Sequence, residues 1–254
     1  MSGWSILFWL IISFLILYPL NRWISTRVQG VAFLLTGNPQ VAMWFFWVIF
    51  LPGTFLHELS HWLTANLLGV RTVKFSLWPE IKKGGQLQMG AVQVEVGDPF
   101  RHSLIGVAPL LFGSLAVLLI GQGQLNLTAI GQAVVSGNLE AIWQAIIQTM
   151  VLPDVWVWLY LVFAISNAML PSASDREAWR TVLLYLGLAL VLAIGLGLNP
   201  SLPPDFQRLV LTGFAYLLSA FTITIAVDLI FMVFIFIFEI LLGWLLGRQV
   251  QYNR

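Results

Sequence analysis

Long apolar runs separated by short polar breaks set the pattern of this chain. They cover residues 4–20, 41–68, 104–120, 151–170, 181–198 and 209–246. The hydrocarbon core of a bilayer takes about 20 apolar residues per helix. The pattern therefore predicts an all-α polytopic membrane protein of about six transmembrane helices. The last run is long enough for two short crossings. It has no glycine or proline between Tyr216 and Leu242 to make a turn. One long helix, tilted or projecting from the membrane, is the preferred reading, and a hairpin breaking near Asp228 is the alternative.

Two segments between the runs have a different period. Val92, Val94 and Val96 alternate with Gln93 and Glu95, a strand pattern. Residues 71–78 and 86–96 flank Lys82-Lys83-Gly84-Gly85 and predict a small β-hairpin on the cytoplasmic face. Residues 121–148 are almost uncharged, with Ile130, Val134, Ala141 and Ile142 among polar positions. They read as an interfacial helix. No soluble domain or repeat stands out, so the chain reads as a single transmembrane domain with its core over about residues 40–180.

Composition agrees. Apolar residues make up 59% and charged residues 9%, against roughly 25% charged in an ordinary globular domain. So few charges cannot coat a water-soluble surface of this size, and the main partner is the lipid bilayer. A net charge of +1 offers no basic field for nucleic acid. The absence of cysteine removes disulfides, thiolate metal sites and cysteine nucleophiles together. The first run reads as a retained helix, because no basic residue precedes it and no small-residue cleavage site follows it. With six crossings, Arg71, Lys74, Lys82, Lys83, Arg101, Arg176, Arg180, Arg248 and Arg254 share one side, and Arg22, Arg27 and Arg208 the other. Short cytoplasmic loops carry the excess of Lys and Arg. That places the N-terminus in the cytoplasm of a cell membrane.

The chemistry sits in the second run, at His57-Glu58-Leu59-Ser60-His61. Residues four apart share a helical face, so both imidazoles can grip one zinc ion. Zinc lowers the pKa of its water to about 7, and Glu58 is placed to take a proton from it and hand it to a leaving amine. Pro52 and Gly53 just upstream predict a kink that opens room beside the helix. A catalytic zinc commonly has a third protein ligand. His102 is a candidate, though it lies beside Arg101 where an exposed histidine is expected. Asp175 follows the end of the fourth run, which parallels the second and so ends at the same depth. Ser174-Asp175-Arg176-Glu177 also reads as a capping box opening the next helix. On chemistry alone the two roles for Asp175 stand level. Ser60 has no base of its own and is not a nucleophile candidate. Asp228 and Glu239, acids in the last run, read as pairing with other helices or snorkelling at an end.

The segment Phe55-Leu56-His57-Glu58-Leu59-Ser60-His61, with Ala65 four residues on, resembles the active-site helix of the site-2 protease family of intramembrane zinc metalloproteases. Asn167, Pro171 and Asp175 resemble that family's second motif, residues 71–96 its hairpin, and Val107-Ala108-Pro109 its third-helix motif. The likeness spans about residues 40–180. It implies Asp175 as third zinc ligand and Asn167 as a substrate-backbone contact. Arg176 stands where the family has glycine, Pro171 comes one place late, and no sensor domain is inserted. The expected function is an intramembrane zinc metalloendopeptidase that cuts a membrane-spanning protein near the cytoplasmic face. A catalytically silent relative that binds membrane partners is the alternative, and a transporter is disfavoured by the lack of paired broken helices.

Overall fold

In the computed structural model the described residues are 3–81, 87–95, 97–197, 203–250 and 252. The Lys82–Gly85 turn expected from the sequence, and Val96, lie outside them. In chain order the elements are α1 (Gly3–Thr36), α2 (Pro39–Leu67), β1 (Thr72–Ser76), β2 (Glu80–Ile81), β3 (Leu87–Gln88), β4 (Ala91–Val94), α3 (Pro99–Gly123), α4 (Leu127–Ser136), α5 (Leu139–Met150), α6 (Val155–Met169), α7 (Glu177–Gly195) and α8 (Pro204–Leu246).

This is a multi-pass membrane protein turned inside out relative to a soluble one. Trp4, Leu67, Val135, Leu196 and Trp244 are exposed, while Glu58, Ser60, His61, Ser166 and Asp228 are buried. Among the described residues α1, α2, α3 and α8 are long and apolar enough to cross a membrane. The count rises to five if α5 and α6, bent by 96° at their junction, are one span. The six expected are not confirmed among the described residues, where the apolar stretch Trp179–Gly195 of α7 is short for a span. Gly3 lies against Leu211, Phe14 against Phe221 and Arg27 against Glu239, so α1 and α8 run parallel. Tyr160 donates to the Ile49 carbonyl at 2.9 Å and Phe50 packs on Phe163, so α2 and α6 run parallel in the opposite sense. The end of α6 and the start of α8 lie towards the same face. The end of α8 therefore lies opposite the start of α1. Single cysteines at Arg71 and at Gln249 should be labelled by an impermeant reagent from opposite sides of the membrane. Labelling of both from one side would restore an even number of crossings.

The preferred reading of the last run holds: α8 is one helix of 43 residues. It passes through Asp228, which is 1% exposed and accepts a hydrogen bond from Asn167. At about 1.5 Å per residue it spans about 65 Å, roughly twice the hydrocarbon core. The first helix is longer than the apolar run suggests. It continues beyond Leu20 because its polar residues find partners on neighbouring helices. Asn21 donates to Asn167, and Arg27 donates to Glu239 at 2.8 Å while lying over the Tyr252 ring. Both acids of the last run are thus paired across helices.

Three further expectations change. The interfacial segment is two short helices, α4 and α5, since Gly137 adopts a left-handed conformation between them. The β-hairpin forms, with β1 antiparallel to β4 and β2 to β3. It is not confined to the face at the end of α2. Trp47 of α2 donates from Nε1 to the Leu77 carbonyl at 2.7 Å, and Trp78 stacks on Trp47. The ribbon therefore climbs along α2 beyond His57, by ten residues or about 15 Å of helix. Gly53 gives close contact rather than open room: a side chain there would collide with the Ala164 carbonyl of α6.

Candidate metal centre

The close approach at Gly53 brings α2 and α6 together one turn before the motif. His57 can then reach the main chain of α6, and its Nδ1 lies 2.6 Å from the Ala168 carbonyl. His61, one turn on, faces α3 and places its Nδ1 2.9 Å from the Ile105 carbonyl. A carbonyl only accepts, so each Nδ1 carries the hydrogen. That leaves both Nε2 lone pairs free, and they point at each other across 3.1 Å. Fixing the tautomer through the far ring nitrogen is how metal-binding histidines are held.

Asp175 completes the group. Its Oδ1 is 3.2 Å from His61 Nε2 and its Oδ2 is 3.6 Å from His57 Nε2. Ligand atoms of His57, His61 and Asp175 all lie within 4.8 Å of one another. The carboxylate is steadied by the Ser172 N–H, which donates to Oδ2 at 2.7 Å. Its main chain packs on Gly106 of α3, where a Cβ would meet the Asp175 carbonyl. The capping-box role is not what forms. Helix α7 begins after Arg176 without a side-chain cap, and Glu177 N–H bonds the Ser174 carbonyl instead. His102 does not join the cluster. Its Nε2 lies near the Glu95 carbonyl and the Gly97 N–H in the loop before α3.

The donor set suits zinc: two neutral imidazoles and one carboxylate leave a position for water or substrate. Glu58 faces the same cavity without belonging to the ligand cluster. The ribbon holds it. Gly90 lies directly against its carboxylate, and the Val92 amide faces it. A Cβ at position 90 would come within 2.8 Å of Glu58 Cγ and Oε1. Gly90→Ala should therefore keep the metal and slow any reaction that uses Glu58 by roughly a hundredfold, the cost of displacing a catalytic group by about 1 Å. Unchanged turnover in that variant would mean that the contact does not position Glu58. Ser60 Oγ donates to the His57 carbonyl at 2.6 Å, a structural bond.

The cavity holds about 580 Å³ and is lined by the triad, Glu58, residues 88–92 of the ribbon, and the inner faces of α1 and α2. Asn167 lines it too. Both amide hydrogens of Asn167 are taken, at 2.9 Å by the Phe163 carbonyl and at 2.8 Å by Asp228. Its Oδ1 accepts from Asn21 at 3.1 Å. Several of these parts were invisible in the sequence, because the Ala168 and Ile105 carbonyls and the Val92 amide belong to main chain that any residue could supply. Asn21, Ser25 and Gln29 did leave a signal, polar residues every fourth position in an otherwise apolar helix. No protein-family model, no curated protein and no solved structure matches this chain.

Proposed function

We propose that this protein is an intramembrane zinc metalloendopeptidase of the site-2 protease kind, cutting a membrane-embedded polypeptide. The observation that carries the reading is the convergence of His57, His61 and Asp175 with a fourth group, Glu58, left out of the cluster but opening on the same cavity. A purely structural metal site has no use for a free carboxylate beside it. His57 and His61 would hold the ion through Nε2 and Asp175 through its carboxylate. Zinc bound there supplies Lewis acidity, polarising the scissile carbonyl and making water a stronger acid. Glu58 takes the proton from the attacking water as the new C–O bond forms. It then delivers that proton to the amide nitrogen as the C–N bond breaks, so one carboxylate serves as base and then as acid. The ribbon backbone at Gly90 and Val92 keeps Glu58 in place through both transfers.

The end of α2 that carries Leu67 is placed in the cytoplasm. Among the described residues Arg71, Arg101, Arg176 and Arg208 lie towards that face, and Arg27 and Arg248 towards the other. Cleavage would then fall nearer the cytoplasmic side, since His61 is six residues, about 9 Å, from the end of α2. The test is cleavage of a fluorophore-labelled transmembrane peptide by purified, zinc-loaded protein. Chelator-sensitive cleavage is expected. A protein that carries zinc and cuts no such peptide would overturn the reading.

A further inference from the structure

The part of the cavity that leads away from the triad is built asymmetrically. On α1 it is lined by Asn21, Ser25 and Gln29, spaced four apart on one helical face, and on α2 by Phe46 and Phe50, also four apart. Asn21 lies level with the triad, because it bonds Asn167, the neighbour of the residue that holds His57. Ser25 and Gln29 lie about 6 and 12 Å further along α1. Neither makes a side-chain hydrogen bond to any described residue. Unpartnered polar side chains on a membrane helix are costly and are kept where they face a cavity with a use for them.

We propose that the Asn21–Ser25–Gln29 face of α1 is a docking ladder for the backbone of an extended polypeptide segment, the substrate drawn into the metal site. This rests on the protease reading and adds to it the wall that recognises the chain. The argument is one of spacing and chemistry. Four residues of helix advance about 6 Å. Two residues of extended chain advance about 6.6 Å and bring the same edge of the backbone round again. Successive rungs at Ser25 and Gln29 therefore meet peptide groups two residues apart with a mismatch below about 1 Å. The rungs are uncharged and offer both donors and acceptors, which fits amide groups rather than charged side chains. Phe46 and Phe50, mostly buried in the core, line the wall opposite and give that side of the cavity an apolar character. A lipid acyl chain would fill the apolar half and leave the polar half unsatisfied. Asn167, by contrast, has little left to offer a substrate, with both amide hydrogens already donated within the protein.

The test uses the full-length, zinc-loaded protein in detergent and two probes read by calorimetric titration. One is acetohydroxamate, which reports on the metal alone. The other is an apolar tetrapeptide amide with no metal-binding group. Ser25→Ala/Gln29→Ala should weaken the tetrapeptide by at least about tenfold and leave acetohydroxamate unchanged, which also shows that the variant is folded. N-methylation of alternate amides in the tetrapeptide should cost the wild type a similar factor and cost the double variant little. Equal tetrapeptide affinity in wild type and variant, or no binding to the wild type, would overturn the ladder. Failure of acetohydroxamate to bind the wild type would instead count against the metal centre, so the two readings fail separately.

Discussion

Glu58→Gln should bind zinc as the parent does and lose about 10²- to 10⁴-fold in peptide cleavage, the range for removing a general acid–base. Glutamine keeps the shape and can still meet the Val92 amide and Gly90, so the ribbon and the cavity remain. It cannot accept a proton from water and return it to a leaving nitrogen. The ligand cluster does not include position 58, so metal content has no reason to change. The measurement is a paired one, zinc by metal analysis and cleavage of a labelled transmembrane peptide on the same preparation. Cleavage near the wild-type rate would remove Glu58 from the mechanism. Loss of zinc together with activity would place Glu58 among the ligands.

Asp175→Asn has a large expected effect on the metal. Asparagine retains an oxygen that can accept from Ser172 N–H, so the turn after α6 keeps its local bond. What disappears is the negative charge facing two imidazole nitrogens at 3.2 and 3.6 Å. In a largely buried site a divalent cation needs that compensation. Loss of outer-shell partners of metal ligands already costs 10- to 100-fold in affinity. Zinc affinity should therefore fall by more than about 100-fold. His57→Ala/His61→Ala should lower zinc from one per chain to background. An Asp175→Asn protein with full zinc and full activity would show that the carboxylate is not a ligand. In that case its bond to Ser172 would be its only role.

The local parts of this protein are legible in the sequence. Runs of apolar residues become helices in lipid because the backbone must satisfy its own hydrogen bonds there. The unbroken stretch through Asp228 becomes one helix because nothing in it can turn. His57 and His61 share a face because helical geometry alone puts residues four apart together. None of this depends on what lies beyond a few turns of chain.

Only the tertiary structure decided the rest. Two explanations of Asp175 were equal in the sequence, since a cap and a ligand both need an acid at a helix start. The packing of its main chain on Gly106 of α3 turns the carboxylate towards His57 and His61. The histidine tautomers depend on the carbonyls of Ala168 and Ile105, groups every residue has, so no side-chain pattern announces them. That α8 ends opposite the start of α1 depends on the two helices lying parallel, a contact between residues some 200 positions apart. The ribbon's reach along α2 depends on three tryptophans, Trp44, Trp47 and Trp78, meeting across a loop. The common reason is that composition and period report on the solvent a segment faces, here lipid or water. They do not report which other segment will stand beside it, and in this protein the candidate metal cluster is assembled from such neighbours.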